Sequence, residues 1–277
     1  MEICVLGALE ARERDTDIVP TAGKVRQVLS LLALHPGQVV TVSALMEELW
    51  GEDPPRSAPT TLQTYVLQLR RKLDAALRAT PVAGPAPIDV RRAKDVLVTK
   101  HVGYQLSVAP DVVDVCGFDR LAAAGRVASD SGDAEAASRL LGQALSIWRG
   151  PALIDVQHGP RLQIEVLRLQ EARLSALECR IDADLSLGRH QVLLGELAVL
   201  CAQHPLHENL HARYMLALYR AGRQWQALDV FGRVRSTLVE ELGVEPSSRL
   251  QTLQRDILNS EPHLERLDAD PRTRAAV

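Results

Sequence analysis

Residues 57–73 read SAPTTLQTYVLQLRRKL, and the spacing of their apolar positions decides the fold. Leu62, Val66, Leu69 and Leu73, continued by Leu77, recur every three or four residues. That is the stripe of a helix packed on a core by one face. Ser57 supplies an N-cap, and Pro59 falls in the first turn, where its missing N–H costs little. The pattern predicts a helix from about Ser57 to Leu77. Its opposite face collects Thr60, Thr64, Leu67, Gln68 and Arg71, flanked by Gln63 and Arg70, with no acid before Asp74. Threonine, glutamine and arginine can exchange hydrogen bonds with base edges or donate to phosphate. A helix turned only to water more often carries Glu–Lys pairs on such a face.

The neighbours of this helix set its context. In MEICVLGALEARE the apolar residues Ile3, Val5 and Leu9 alternate and break at Gly7, which predicts two short strands of a small antiparallel sheet. Lys24–His35 places Val25, Val28, Leu29, Leu32 and Ala33 at helical spacing before the stop signal Pro36-Gly37. Ser43 is an N-cap candidate for a short helix ending at Trp50, and Asp53-Pro54-Pro55 connects it to the helix above. Beyond the Pro/Gly/Ala-rich TPVAGPAP, a hairpin is predicted, with Val96, Val98, Tyr104, Leu106 and Val108 around the turn Lys100-His101-Val102-Gly103. Three helices followed by a hairpin make a winged helix-turn-helix. Its second element enters the major groove, while the wing, here Thr99, Lys100 and His101, meets the DNA backbone or the minor groove.

Charge agrees once it is split along the chain. The overall charge is -3, but residues 56–100 carry nine basic and three acidic side chains, a net of +6. The segments before and after are net acidic at -5 and -4. A local basic block steers one segment onto phosphate, although a solvated surface face would look the same. Hydrophobic residues make up 46% and charged residues 24%, as in a globular protein, and only 3% aromatics leaves cores of Leu, Val and Ala. The four cysteines are scattered without a CxxC pair, no signal peptide precedes them, and no apolar run approaches ~18 residues. These features indicate reduced thiols in a cytoplasmic protein. Enzyme chemistry finds no support. Thr21-Ala22-Gly23-Lys24 ends like a phosphate-binding loop, but Ile18 stands where the first glycine is required. His204, His207 and His211 lack a Cys or carboxylate in ligand spacing and read as residues flanking a helix start. No catalytic residue, metal site or cofactor is expected.

From about Asp111 the strand signals vanish. Segments 117–129, 133–148, 160–187, 190–203, 207–221, 224–241 and 246–259 read as amphipathic helices separated by short breakers. Leu187-Gly188-Arg189 recurs as Ala221-Gly222-Arg223, a spacing of 34 residues, the period of tetratricopeptide repeats. Stacked helix pairs of that kind offer a concave face for protein contacts. The expected architecture is mainly α: a winged helix-turn-helix with small sheets over 1–109, a tetratricopeptide-like helical domain over 110–260 and a flexible tail over 261–277. A helical scaffold with no specific DNA readout remains the alternative.

The phrases ELWGEDPP, TTLQTYVLQLRRKL and LVTKHVGYQLSV resemble, in order, the DNA-binding domain of the Streptomyces antibiotic regulatory protein family, and more distantly OmpR/PhoB-type output domains. ALSIWRGPAL, LGRH, HPLHENLHARYMLALYRAGRQWQALDVF and EELGVEPSSRLQTL resemble the bacterial transcriptional activation domain that follows it in that family. The resemblance covers about residues 1–260. It implies that the 57–77 helix lies in the major groove and that Trp50 of the Trp-Gly pair contacts a phosphate, although a plain core aromatic would also fit Trp50. Arg56 joins Trp50 as a backbone contact. Arg91, Arg92 and Lys94 in the long linker add phosphate contacts or form a solvated loop. As a whole, the resemblance implies an activator of antibiotic or other secondary-metabolite genes. Such a protein binds direct repeats as paired protomers and recruits RNA polymerase through its σ subunit and α C-terminal domain. It also implies a nucleoid-associated location.

Overall fold

The computed structural model describes residues 1–78 and 92–265. Among them are eleven α-helices and two three-stranded antiparallel sheets, the mainly α architecture that the periodicities predict. Two compact units are present: residues 1–121 with 143–174, and residues 122–142 with the described part of 175–277.

The first unit opens with the sheet β1 (Glu2–Cys4), β2 (Glu10–Glu13) and β3 (Thr16–Asp17), paired in that order. Helices α1 (Gly23–Ala33), α2 (Val42–Trp50) and α3 (Ala58–Arg78) follow. The second sheet has the order β4-β6-β5, built from β4 (Val39–Thr41), β5 (Leu97–Lys100) and β6 (Gly103–Leu106). The core forms where these elements converge: Ile3 and Ile18, Leu29 and Leu32 of α1, Leu69 and Leu73 of α3, and Leu97 and Leu106 of the hairpin line one void of about 10 Å³. That space holds no more than a water, so this core is closed.

Two local features differ from the sequence reading. Thr41, not Ser43, caps α2, its hydroxyl accepting from the Ala44 N–H at 3.1 Å. Thr41 ends β4, a strand whose partners Gly103, Tyr104 and Gln105 lie more than sixty residues away. Val96 belongs to a short helix α4 (Ala93–Val96) rather than to the hairpin. The unit also includes residues 110–121 and 143–174. Asp114, at the start of α5 (Asp114–Asp130), accepts from the Val5 and Leu6 N–H groups at 2.9–3.0 Å. Arg149 and Leu153 donate backbone N–H bonds to Leu6 and Val5 at 2.8 and 3.0 Å, and Asp155 accepts from the Leu9 N–H at 2.8 Å.

The second unit is helical: it takes residues 122–142 from α5 and α6 (Ala134–Ser146), the last part of α7 (Pro160–Ser186), and α8 (His190–Gln203), α9 (Glu208–Arg220), α10 (Gln224–Leu242) and α11 (Ser248–Asn259), with α9 packed against α8, α10 and α11. The repeated glycines stop α7 and α9 by one device. Gly188 and Gly222 take φ of 74° and 73°, and the residue after each donates to a carbonyl five positions back, Arg189 to Asp184 and Arg223 to Leu218, both at 2.9 Å. This 6→1 bond ends a helix with a left-handed residue that favours glycine. Helix α9 is apolar on two sides. Ala217 joins Ile181, Leu185, Leu193 and Leu197, while Met215 and Leu218 join Phe231, Val234 and Leu250. As expected, the histidine cluster flanks a helix start: His207 caps α9, and His211 is buried with Nε2 3.1 Å from the Pro205 carbonyl oxygen. Of the expected tail, Pro262–Glu265 forms a 3₁₀ turn that buries Leu264, and residues 266–277 lie outside the described range.

Candidate nucleic-acid interface

Helix α3 buries Leu62, Val66, Leu69 and Leu73, as the stripe predicts, with Ala76 buried and Leu77 half-buried at its end. The opposite face exposes Thr60, Gln63, Thr64, Leu67, Gln68 and Arg71. Leu67 is 48% exposed and has no core to serve, so its methyls are available for apolar contact such as a thymine methyl. The Thr64 hydroxyl donates to the Thr60 carbonyl at 3.1 Å, which leaves its oxygen to accept and its methyl outward. The only acid of the helix, Asp74, is half-buried and accepts from the Ala93 N–H at 2.9 Å. The outward face therefore presents donors and acceptors and no negative charge.

Arg70 stands apart from that face. Its Nε and Nη2 donate to the Leu97 carbonyl at 3.0 and 2.6 Å, and Nη2 also donates to Thr99 Oγ1 at 2.8 Å. Two residues expected at the DNA surface, Arg70 and Thr99, are thus engaged with each other. Lys100 and His101 are exposed at the wing tip. The root of the wing is held tightly: the Val42 N–H donates to the Val102 carbonyl at 3.0 Å, and Gly103 pairs with Thr41. A Cβ at Gly103 would lie 2.0 Å from the Val40 carbonyl oxygen, so only glycine lets the wing approach β4 this closely.

Trp50 is half-buried at the end of α2. Its ring stacks on Tyr65 of α3 at 6.4 Å with a 15° interplanar angle, and Lys24 Nζ lies 4.8 Å over it. Lys24 also donates to the Leu49 carbonyl at 2.9 Å. Trp50 is therefore neither a core aromatic nor a free one; its partners fix its plane beside the start of α3. Arg56 is exposed in the turn before α3. Arg92 opens α4, with its backbone N–H donating to Asp95 at 2.9 Å, and Lys94 is exposed on that helix. Arg91 lies outside the described residues.

One part of the architecture around this site escapes sequence reasoning. Glu48, 2% exposed, accepts from the N–H groups of Gly159 and Leu162 at 2.7 and 2.8 Å and so caps the first turn of α7. Burial pushes its carboxyl above the usual carboxylate range, while the N–H groups at the start of α7 pull it back down. Beside it, Arg161 donates to Glu47 with Nε and Nη2 at 2.9 and 2.7 Å. In the sequence, Glu47-Glu48 looks like a solvated pair of acids, because the partner lies more than a hundred residues away.

Residues 113–258 match the Bacterial transcriptional activator domain, and residues 16–82 match the family described as Transcriptional regulatory protein, C terminal. The chain is 53% identical over 266 residues to the regulatory protein DnrI of Streptomyces peucetius, covering 96% of this chain and 95% of that one. It is 38% identical to the regulatory protein AfsR of Streptomyces coelicolor over 96% of its own length but only 25% of that relative's. The solved structure of Mycobacterium tuberculosis EmbR in complex with a low-affinity phosphopeptide superposes with a TM-score of 0.84 at 31% identity, covering 95% of this chain and 68% of that one.

Proposed function

We propose that this chain, which belongs to the Streptomyces antibiotic regulatory protein family of transcriptional regulators rather than to a family of enzymes, activates secondary-metabolite biosynthetic genes. It does so by binding direct repeats near their promoters as paired protomers and recruiting RNA polymerase through the σ subunit and the α C-terminal domain. The observation that carries the reading is the acid-free outward face of α3 beside a wing tipped by Lys100 and His101. Thr60, Gln63, Thr64, Leu67, Gln68 and Arg71 read base edges in the major groove. Trp50 and Arg56 hold the flanking phosphates, with Arg92 and Lys94 adding charge. The winged portion, residues 1–109, supplies the readout. The helix pairs supply the surface that meets polymerase. Such a protein works on the nucleoid in the cytoplasm. No helix among the described residues is long and apolar enough to cross a membrane.

Mobility shift over a salt series tests this. Selective duplex binding is expected, with affinity falling steeply between roughly 50 and 200 mM salt as bound counterions are released. A chain at micromolar concentration that shifts neither promoter fragments nor random duplex would leave the helical-scaffold alternative standing instead.

A further inference from the structure

We infer that Arg70 is a positioning residue: it locks the wing to the recognition helix and lays its charge on the one sugar-phosphate strand that the two elements straddle. The inference rests on the DNA-reading role proposed above. Arg70 is the residue next to Arg71, yet it leaves the exposed face of α3 and spends two of its three nitrogens on β5, the first strand of the wing. Leu97, whose carbonyl receives both Nε and Nη2, is itself 1% exposed and packs in the core with Leu106. The clamp therefore grips the wing at its fixed root. The shared Nη2 bond to Thr99 carries the grip outward to the first exposed stretch of the hairpin, one residue before Lys100. A planar guanidinium that meets one carbonyl with two N–H groups sets both a distance and an angle, which a lysine ammonium cannot do.

The charge of the clamp is also unspent. Both acceptors are neutral, and among the described residues no carboxylate pairs with Arg70. Asp74, one turn along α3, is taken by the Ala93 N–H. In duplex DNA a single sugar-phosphate strand separates each major groove from the adjacent minor groove. A helix in the first and a hairpin in the second must hold that strand between them. Arg70 sits in the cleft between those elements, so its guanidinium meets the straddled phosphates rather than a base. This differs from the base-reading role that its position in the sequence predicts.

The test uses the full chain on a promoter duplex mapped with the wild type, with Arg70→Lys, Arg70→Gln and Thr99→Val. Arg70→Lys is expected to lose about tenfold in affinity while keeping the wild-type salt dependence, because the charge stays and the fork goes. Arg70→Gln is expected to reduce the salt slope by about one. Neither should change preference at any single base pair. In hydroxyl-radical footprints the protection given by the wing fades while that given by α3 persists. In the DNA-free chain, amide exchange over residues 97–106 rises in Arg70→Lys and Thr99→Val, with α1 unchanged, which separates a loosened wing from a molten domain. Loss of discrimination at one base pair in Arg70→Lys would make Arg70 a base reader and overturn the inference. Wild-type exchange together with a wild-type footprint would show the clamp to be inert. If the wild type itself bound no duplex, the DNA reading would fall, and the exchange experiment would still judge the clamp.

Discussion

Replacing Glu48 by alanine removes the acceptor that caps α7 and leaves two N–H groups without a partner in a buried place. The carboxylate is 2% exposed and receives the Gly159 and Leu162 N–H groups at 2.7 and 2.8 Å. Hydrogen bonds to a charged group contribute about 1.5–3 kcal/mol each. Two of them give a gross ~3–6 kcal/mol, from which the cost of burying a carboxylate subtracts a part. A net loss of about 3 kcal/mol follows, enough to lower the melting temperature by roughly 6–12 °C for a domain of this size. Glu48→Gln keeps one acceptor oxygen but turns an amide donor toward the second N–H, so its loss should be smaller, about 1–2 kcal/mol. Thermal unfolding by circular dichroism measures both, and duplex affinity of the folded variants at 20 °C shows whether Trp50, two residues on, has moved. An alanine variant melting within 2 °C of the wild type would refute the reasoning, because the two N–H groups would then have found other acceptors.

The other expectations rest on the same contacts. Gln68→Ala and Arg71→Ala should each cost about 1–3 kcal/mol on a cognate duplex and almost nothing on a scrambled one; equal losses on both would remove them from the readout. Gly103→Ala forces a Cβ to 2.0 Å from the Val40 carbonyl oxygen, so the wing must leave β4. A destabilisation of more than about 2 kcal/mol is expected, and a crystal structure of that variant with an undisturbed β4–β6 pair would contradict it. The pH dependence follows from Glu48, whose folded-state pKa lies above the reference value of 4.5 because burial disfavours the charged form. Such a carboxyl holds its proton more tightly in the folded chain, so the pH-dependent part of its contribution is full below about 4.5 and lost as pH rises through the folded value, while the hydrogen bonds to Gly159 and Leu162 remain in the ionised form. The stability of the wild type minus that of Glu48→Gln should therefore shrink as pH rises above about 4.5; a flat difference from pH 4 to 7 would count against this assignment.

How much of this was legible in the sequence depended on the range of the interaction. Helix α3 could be read because a stripe of Leu62, Val66, Leu69 and Leu73 and a polar opposite face are properties of seventeen consecutive residues. The hairpin could be read from its alternation and its turn. Strand β4 could not, since Val39-Val40-Thr41 is too short to show a period and becomes a strand only when Gly103–Gln105 comes alongside. Its formation then moves the α2 cap from Ser43 to Thr41. On the outward face of α3, Thr60, Gln63, Thr64, Leu67, Gln68 and Arg71 are all exposed as their spacing predicts. Arg70 is not among them, because its partners lie 27 and 29 residues away and periodicity cannot see them. The weak signal that was present is positional: Arg70 occupies the flank of the polar face, next to the core position Leu69.

Glu47 and Glu48 show why the count of contacts is a poor guide to what holds the winged helix in place. Both carboxylates reach the start of α7, and each receives two N–H groups. The Glu47–Arg161 pair has side chains 44% and 48% exposed, where water competes for both ions and a pair contributes about 0–1 kcal/mol. Glu48 has no such competitor. It meets backbone N–H groups that are fixed by the helix itself and that carry its positive end, so the acceptor is as rigidly placed as the donors. Glu47→Ala should then leave melting within about 2 °C of the wild type, while Glu48→Ala does not. The two substitutions are adjacent, remove the same chemical group and face the same turn, so a difference between them isolates burial as the cause. If the two variants melted together, the surface ion pair would be carrying the attachment. Raising the salt concentration would then loosen α2 and α7 from each other, which a buried backbone cap forbids.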